Sequence, residues 1–379
     1  MNKIIIDCDR HVMEPLEIWE QYCSPEIFNS MPVHFNLDDQ KSQEERYKRT
    51  GIDIRLSPTF KLGEHPILSN WSEEQQIASA LIRDESHETR ASAMSSRNQV
   101  ESMHKSGISK ALMFPTFAMY IVNHDKITSE QSVNYAKAYN SWIQSYCESH
   151  QELLPVGMIS RHDSELLVSQ IQDIVKKGWN IITTRPEPIL GKNLGHPDND
   201  PFWAECEKHN IVICFHGGTH LQGQTVGMDR FESRFALHAC SHPMEAQMAF
   251  VDLLESGVLE RHPNLKFVFL EAGCSWVASW LWRLDNICYD EFPSLTKENI
   301  KKKPSEYFKQ HCWVGVEIGE PLTDTLNAIG HHKLLFGSDY PHPDHLHLNI
   351  SDIPQLLPEL SQQQIQDILE HNPKSLFNI

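Results

Sequence analysis

The chain has 379 residues, with 33 Lys and Arg against 51 Asp and Glu and a formal net charge of −18 at pH 7. That balance argues against nucleic acid or an anionic membrane as partner, since both recruit basic surface, and it points to a small-molecule substrate. With 40% hydrophobic and 22% charged residues the composition excludes a disordered chain and suits a folded protein with a large core; the length allows one large barrel.

Behind Met1 there is only Lys3 and the run Ile4-Ile5-Ile6, too short for a signal-peptide core. No apolar stretch is long enough to span a bilayer, so a cytoplasmic protein is expected. The nine cysteines are scattered and include no C-x-x-C pair, which reads as reduced, mostly buried thiols and not as a zinc knuckle or disulfide frame.

In chain order, β-rich apolar runs predict strands at 3–9, 110–114, 154–159, 180–185, 211–216, 266–271, 312–317 and 334–338. Helical spacing appears at 129–149, 163–177, 242–257, 276–288, 321–329 and 361–370; in the first, Val133, Ala136, Ile143 and Tyr146 share a face. Eight strands alternating with helices predict an α/β fold of the (β/α)8 TIM-barrel type. An open doubly wound sheet is the alternative, although no G-x-G-x-x-G follows any strand to support its nucleotide-binding form. The rhythm breaks at 12–100, a polar stretch with helix-start signals such as Ser72-Glu73-Glu74-Gln75. It reads as a long insertion after strand one, a cap over the barrel mouth or an oligomerisation segment, within a single domain spanning 1–379. The stretch 217–241 reads as a loop that forms part of a lid.

Barrel enzymes carry their chemistry at the C-terminal ends of the strands. Strand one ends Asp7-Cys8-Asp9-Arg10-His11, and strand eight runs into Gly337-Ser338-Asp339-Tyr340-Pro341-His342. In a closed barrel the first and last strands are neighbours, so these strings converge. Asp9 and His11 are two apart and project from one side of an extended segment. His216, flanked by Gly217 and Gly218, completes a set of two histidines and two carboxylates with Asp9, His11 and Asp339. Such a set suits Zn2+, Mn2+ or Fe2+ with a position open for water or substrate. Taken singly, each of these residues also reads as a turn, cap or strand-end residue.

A second group, Glu14, His238, His242, Glu245 and Glu271, adds enough donors for a second metal, so one or two ions per chain are expected. His242 and Glu245 are three apart and read as sharing a face on a first helical turn, where Glu245 reads equally well as an N-terminal cap. Arg185 is a candidate clamp for a substrate carboxylate, or the partner of Glu187 or Glu271 in an internal salt bridge. Asp339, Glu271, His242 and Arg185 are the expected catalytic residues, with Asp339 orienting or deprotonating water. His342, His345 and His347 read as a solvated loop, His342 lying near enough to Asp339 to support it. There is no G-x-S-x-G elbow, P-loop or H-E-x-x-H.

Several strings carry a resemblance when taken together: Asp9-Arg10-His11-Val12-Met13-Glu14-Pro15, Phe114-Pro115-Thr116, Ala138-Tyr139-Asn140-Ser141-Trp142, His242-Pro243-Met244-Glu245, the segment from Ser256 to Pro263, Leu270-Glu271-Ala272-Gly273, and the segment from Phe336 to His342. Over most of its length the chain resembles the amidohydrolase-related (amidohydrolase 2) family of the metal-dependent hydrolase superfamily. The resemblance implies a (β/α)8 barrel, a divalent metal at its mouth, and homo-oligomers, with a paralogous subunit as a further partner. It also implies decarboxylation of aromatic or dienoic acids, as in the γ-resorcylate and aminocarboxymuconate semialdehyde types. In those, strand six typically ends in a catalytic His, followed in the resorcylate type by a Glu three residues later, where this chain has Glu271 and Cys274. Asp9 stands where other branches carry His or Glu.

The Leu270-Glu271-Ala272-Gly273 string is also similar to the branch containing 2-aminoisobutyrate hydroxylase. That likeness implies a paired Mn/Fe centre activating dioxygen, with Glu14, Glu245 and Glu271 as extra ligands. Three functions follow. The first is hydrolysis or non-oxidative decarboxylation of a small carboxylated or aromatic compound. The second is hydroxylation of a small amino or aromatic acid at a dinuclear centre. The third is a non-catalytic partner subunit.

Overall fold

The computed structural model describes residues 4–379 apart from 57–58, 68–71, 219–224, 292, 294–297 and 343–347; the side chains of 82–87 also fall outside the description. His345 and His347 therefore lie outside the described residues.

Eight parallel barrel strands follow in chain order: β1 Ile6–His11, β2 Lys110–Phe114, β3 in two pieces (Leu153–Pro155 and Gly157–Met158), β4 Ile181–Thr184, β5 Val212–His216, β6 Lys266–Leu270, β7 Cys312–Val316 and β8 Leu334–Phe336. Each sits on one of the predicted runs. The first piece of β3 pairs with β2 and the second with β4, the break falling just after Pro155, which has no N–H to give a ladder. From there the order runs unbroken to β8. Beyond the strand ends, the Asp339 N–H donates to Asp9 O at 2.8 Å and the His11 N–H to Tyr340 O at 2.7 Å, joining β8 back to β1. Gly337 permits that approach, because a Cβ there would lie 2.5 Å from Asp9 Cβ.

The interior of the fold confirms a barrel. Ile6, Cys8, Leu112, Phe114, Val156, Ile181, Val212, Cys214, Val268, Leu270 and Leu335 form one buried apolar cluster, with Trp313 of β7 packed against it. Every strand thus turns alternate side chains toward a common centre, as a closed (β/α)8 barrel requires. A second, larger cluster lies between the strands and the outer helices.

β1 carries one irregularity that matters for the site. Asp7 pairs with Ala111 but Arg10 with Met113, so one extra residue bulges out of the ladder. A slip of one residue exchanges the two faces of a strand. Across the bulge the inward direction passes from Ile6 and Cys8 to Asp9 and His11, and the strand changes from core filling to ligand presentation.

The 12–100 stretch is more structured than its composition suggests. It holds helices Glu17–Tyr22, Pro25–Ser30, Gln40–Thr50 and Glu73–Ser92, and the start of Ser96–Ser106. It also holds an antiparallel sheet of Val33–Asn36, Thr59–Leu62 and His65–Pro66, which the sequence reading does not anticipate. Ser72 caps the fourth helix in a reciprocal capping box with Gln75, as the sequence signal implies.

The helix expected at 242–257 instead runs Arg234–Glu255, so the 217–241 stretch is not loop throughout. Ser233 caps this helix through the Ala236 N–H, and Pro243 sits in its interior. His242 and Glu245 therefore lie mid-helix and not on a first turn. No disulfide forms; seven cysteines are buried and Cys240 and Cys288 are half-buried. Among the described residues no helix is long and apolar enough to cross a membrane.

Candidate metal centre

At the C-terminal mouth of the barrel the two ends of the chain meet one strand from the far side. The Nε2 atoms of His11 and His216 face each other at 3.0 Å. Asp9 Oδ1 lies 3.4 Å from each of them, and Asp339 Oδ1 lies 3.3 Å from His11 Nε2. Glu271 Oε2 stands 3.5 Å from His216 Nε2 and 3.6 Å from His242 Nδ1. All of these side chains are buried except that of Glu271, which keeps a little exposure.

The tautomers follow from the opposite edges of the rings. His11 Nδ1 sits 2.8 Å from Pro115 O, and His216 Nδ1 sits 2.9 Å from Gly217 O. A carbonyl oxygen can only accept, so each Nδ1 carries the hydrogen and each neutral ring turns its Nε2 lone pair toward the other. Two nitrogen lone pairs and two carboxylate oxygens then converge on one buried point. Burial drives the His11 imidazole down in pKa. At His216 burial acts the same way but the Asp9 carboxylate outweighs it, pushing that ring up. At Asp9 burial is outweighed in turn by His216 and His11, and the carboxyl is held well below its usual range. A single proton shared between the rings would bridge only the two nitrogens. Among the described residues nothing donates a hydrogen bond to the buried Asp9 Oδ1, which would still lack a partner. The donor set fits a divalent cation, which answers all four atoms at once.

Backbone strain marks the same place. Asp339 and Glu271 adopt φ of 50° and 49°, a left-handed conformation that side chains other than Asn, Asp and Gly seldom take. His342 Nδ1 lies 2.7 Å from Asp339 Oδ1, and its ring centroid lies 4.3 Å from that of His11 with the planes tilted by 37°. Among the described residues, three donor groups lie close enough to share an ion: Asp9, His11 and His216; His11, Asp339 and His342; and His216, Glu271 and Asp339.

Residues 100–379 match the amidohydrolase family (amidohydrolase 2). The chain belongs to that family. A curated relative, 2-amino-3-carboxymuconate-6-semialdehyde decarboxylase of Dictyostelium discoideum, is 30% identical over 157 residues, 41% of this chain; the chain spans only 42% of that protein's length. Two solved structures share the fold. An amidohydrolase from Mycobacterium avium subsp. paratuberculosis superposes over the full length of both chains with a TM-score of 0.74 and 18% identity. A 5-carboxyvanillate decarboxylase from Novosphingobium aromaticivorans, complexed with manganese and 4-hydroxy-3-methoxy-5-nitrobenzoic acid, gives a TM-score of 0.68 at 15% identity over 99% of this chain and 96% of that one.

Not every residue singled out in the sequence reaches this centre. The Glu14 carboxylate accepts the backbone N–H groups of Thr116, Phe117 and Ala118 at 2.9–3.3 Å, holding the turn after β2; burial pushes its pKa up to about 7. Glu245 accepts the Val226 N–H, and burial together with Glu187 pushes it up to about 8. His238 stacks edge-on against His242 at 5.1 Å. None of these three joins the donor groups above. Arg185 resolves its two salt-bridge alternatives in favour of Glu187, gripped through Nε and Nη2. The open side of Gly217 faces His242, where a Cβ would come within 2.8 Å of Nδ1.

Two residues of the surroundings were given no role in the expected site. Asp7 locks the closing seam, and Tyr120, on the short helix Ala118–Val122, lies within the field of both Arg185 and Glu271. Asp7 was legible as a strand-end carboxylate. Nothing in the sequence distinguishes Tyr120.

Proposed function

We propose that this chain is a metal-dependent enzyme that removes a group from a small carboxylated aromatic or dienoic compound at the barrel mouth, by non-oxidative decarboxylation, with hydrolysis as the neighbouring chemistry of the same donor set. The observation that carries this reading is the pair of facing Nε2 lone pairs of His11 and His216 with Asp9 and Asp339 around them. Asp9, His11, His216 and Asp339 would hold one divalent ion, with Glu271 and His242 beside it. Such an ion, when bound, supplies a Lewis acid that fixes and polarises substrate oxygens. The relatives named as decarboxylases, one of them complexed with manganese, support Mn2+ as the first metal to test.

The side chains supply the proton. In a decarboxylation the bond to the carboxyl carbon breaks, CO2 leaves, and the electron pair left on the substrate carbon takes a proton. Glu271, a carboxyl between two imidazoles, is the residue placed to deliver it. Against a second ion stands the engagement of Glu14 and Glu245 by backbone N–H groups, which removes two of the carboxylates a dinuclear hydroxylase would need. Against a non-catalytic subunit stands the intact donor set.

We take 12–100 as a cap within one domain. Helix Glu73–Ser92 reaches the loop after β5 through Gln75 Nε2 to Glu232 O at 3.2 Å, and the loop after β8 through Tyr340 Oη to Thr89 O at 3.4 Å. Exposed Phe235 and Trp282 support a homo-oligomer, and nine cysteines without a disulfide support a cytoplasmic, reducing setting. The test is elemental analysis of the purified protein, followed by incubation of Mn2+-loaded enzyme with 2,6-dihydroxybenzoate, 5-carboxyvanillate and dienoic acids while CO2 is measured. CO2 release that disappears on chelation is expected. Metal-independent turnover, or oxygen uptake in place of CO2 release, overturns the reading.

A further inference from the structure

Beside the His11 ring, a side-chain bridge joins the two segments that flank the end of β1. Pro115 and Thr116 follow β2, and His342 follows β8. Pro115 O holds the Nδ1 edge of the His11 ring at 2.8 Å, and the neighbouring Thr116 Oγ1 lies 3.3 Å from His342 Nε2. The His342 ring lies 4.3 Å from that of His11 between centroids and reaches Asp339 Oδ1 through its Nδ1 at 2.7 Å.

The direction of each hydrogen bond follows from its carboxylate end. The Asp339 carboxylate accepts, so His342 Nδ1 carries the hydrogen. In the neutral ring Nε2 is then a lone pair, and the Thr116 hydroxyl donates to it. A hydroxyl, an imidazole and a carboxylate stand in series, each polarising the next.

Both ends of the series suit this arrangement. Thr116 is two residues past Phe114, whose carbonyl accepts the Val12 N–H at 2.9 Å and so ties the end of β2 to the end of β1. Its side chain is β-branched, with few rotamers to lose when the hydroxyl is aimed. Asp339 is the end that needs support. Its φ of 50° is a conformation that the surroundings have to enforce, and its Oδ1 stands 3.3 Å from His11 Nε2.

We propose that Thr116 is a positioning residue of the metal centre: its hydroxyl fixes the His342 ring, and through that ring it orients Asp339 Oδ1 toward the ion. The turn after β2 then serves two ligands at once, His11 through the Pro115 carbonyl and Asp339 through the Thr116 hydroxyl. The inference rests on the reading above that Asp339 helps to hold a divalent cation. Partners that touch a ligand directly are worth about 10–100-fold in metal affinity, and Thr116, one hydrogen bond further out, is worth less.

The test is a double-mutant cycle read by Mn2+ affinity in calorimetry, on wild type, Thr116→Val, Thr116→Ser, His342→Ala and the variant carrying both Thr116→Val and His342→Ala. Valine keeps the branched shape and deletes only the donor. Thr116→Val should weaken Mn2+ binding about three- to tenfold, and Thr116→Ser should restore most of the loss. Where His342 is already alanine, Thr116→Val should change affinity by less than about twofold, because its route to the ligand is gone. Unchanged affinity in Thr116→Val, or the same loss with and without His342, overturns the proposal. The bridge is also read without metal. In metal-free protein carrying isotopically labelled histidine, the nitrogen resonances of His342 are those that vanish in His342→Ala, and Thr116→Val should move the Nε2 signal while Nδ1 stays the protonated nitrogen. A His342 signal indifferent to Thr116→Val overturns the bridge whether or not Mn2+ binds, so failure of the positioning and failure of the metal reading are told apart.

Discussion

Asp7 receives two hydrogen bonds from Ser338, one from its backbone N–H at 2.9 Å and one from its hydroxyl at 2.6 Å, across 331 positions of sequence. The carboxyl is fully buried and burial pushes it up to about 6; Arg10, 3.5 Å away, draws it back. Arg10 is itself fastened to Gln99 and Ser102 and lies 3.9 Å over the Tyr340 ring. This small polar network holds β1 against the end of β8 directly beneath the candidate ligands. Ser338→Ala removes the hydroxyl donor from a buried carboxyl and should cost about 1–3 kcal/mol of stability in urea denaturation. A loss near zero would show that the backbone N–H alone suffices.

His11→Ala and Asp339→Asn should abolish turnover and reduce Mn2+ affinity by more than the roughly 100-fold seen when outer partners of a metal ligand are lost, with circular dichroism unchanged. Full metal occupancy in either variant would remove that residue from the ligand set.

His342→Gln probes support for a ligand. The ring holds Asp339 Oδ1 at 2.7 Å, so its loss should lower metal affinity or turnover by about 10–100-fold while the bound metal remains detectable. An effect as complete as that of His11→Ala would make His342 a ligand in its own right.

Glu14→Ala separates capping from coordination. Three backbone N–H groups lose their acceptor, and a stability loss of about 2–4 kcal/mol with normal metal content is expected. Lost metal at unchanged stability would put Glu14 back among the ligands.

Glu245→Gln carries a pH signature. The folded protein keeps a proton on Glu245 up to about 8, whereas the unfolded chain releases it near the ordinary value of 4.5. Between those values the folded state binds more protons, so this group's contribution to stability is greatest at the acid end and declines as pH rises. Glutamine has no proton to lose. The melting temperature of the variant should gain on that of the wild type from pH 5 to pH 8, and a gap that stays constant would contradict the assignment.

Much of the centre was readable because it follows from topology. In a closed barrel the strings at Asp9 and Asp339 have to meet, and His216 ends the strand that faces them. The role of the β1 bulge was hidden, since nothing in Cys8-Asp9-Arg10 announces an extra residue in the ladder. Glu14 and Glu245 look like ligands in the sequence because a carboxylate near a mouth motif gives no sign of which N–H groups will reach it; that is set by the turn after β2 and by Val226. The early start of helix Arg234–Glu255 was masked by Pro243, which resembles a first-turn proline while sitting mid-helix. The sheet in the 12–100 stretch has strands of two to four residues, too short for an alternation to show.

The closing bonds between Asp9 and Asp339 also set a timetable. Asp339 follows Asp9 and His11 out of the ribosome on the order of half a minute later at bacterial or eukaryotic elongation speeds. No cation can be gripped in its final geometry before then. Full loading of the proposed centre is therefore expected only after Asp339 has been made, and cells starved of the ion during translation should still yield apoprotein that loads afterwards.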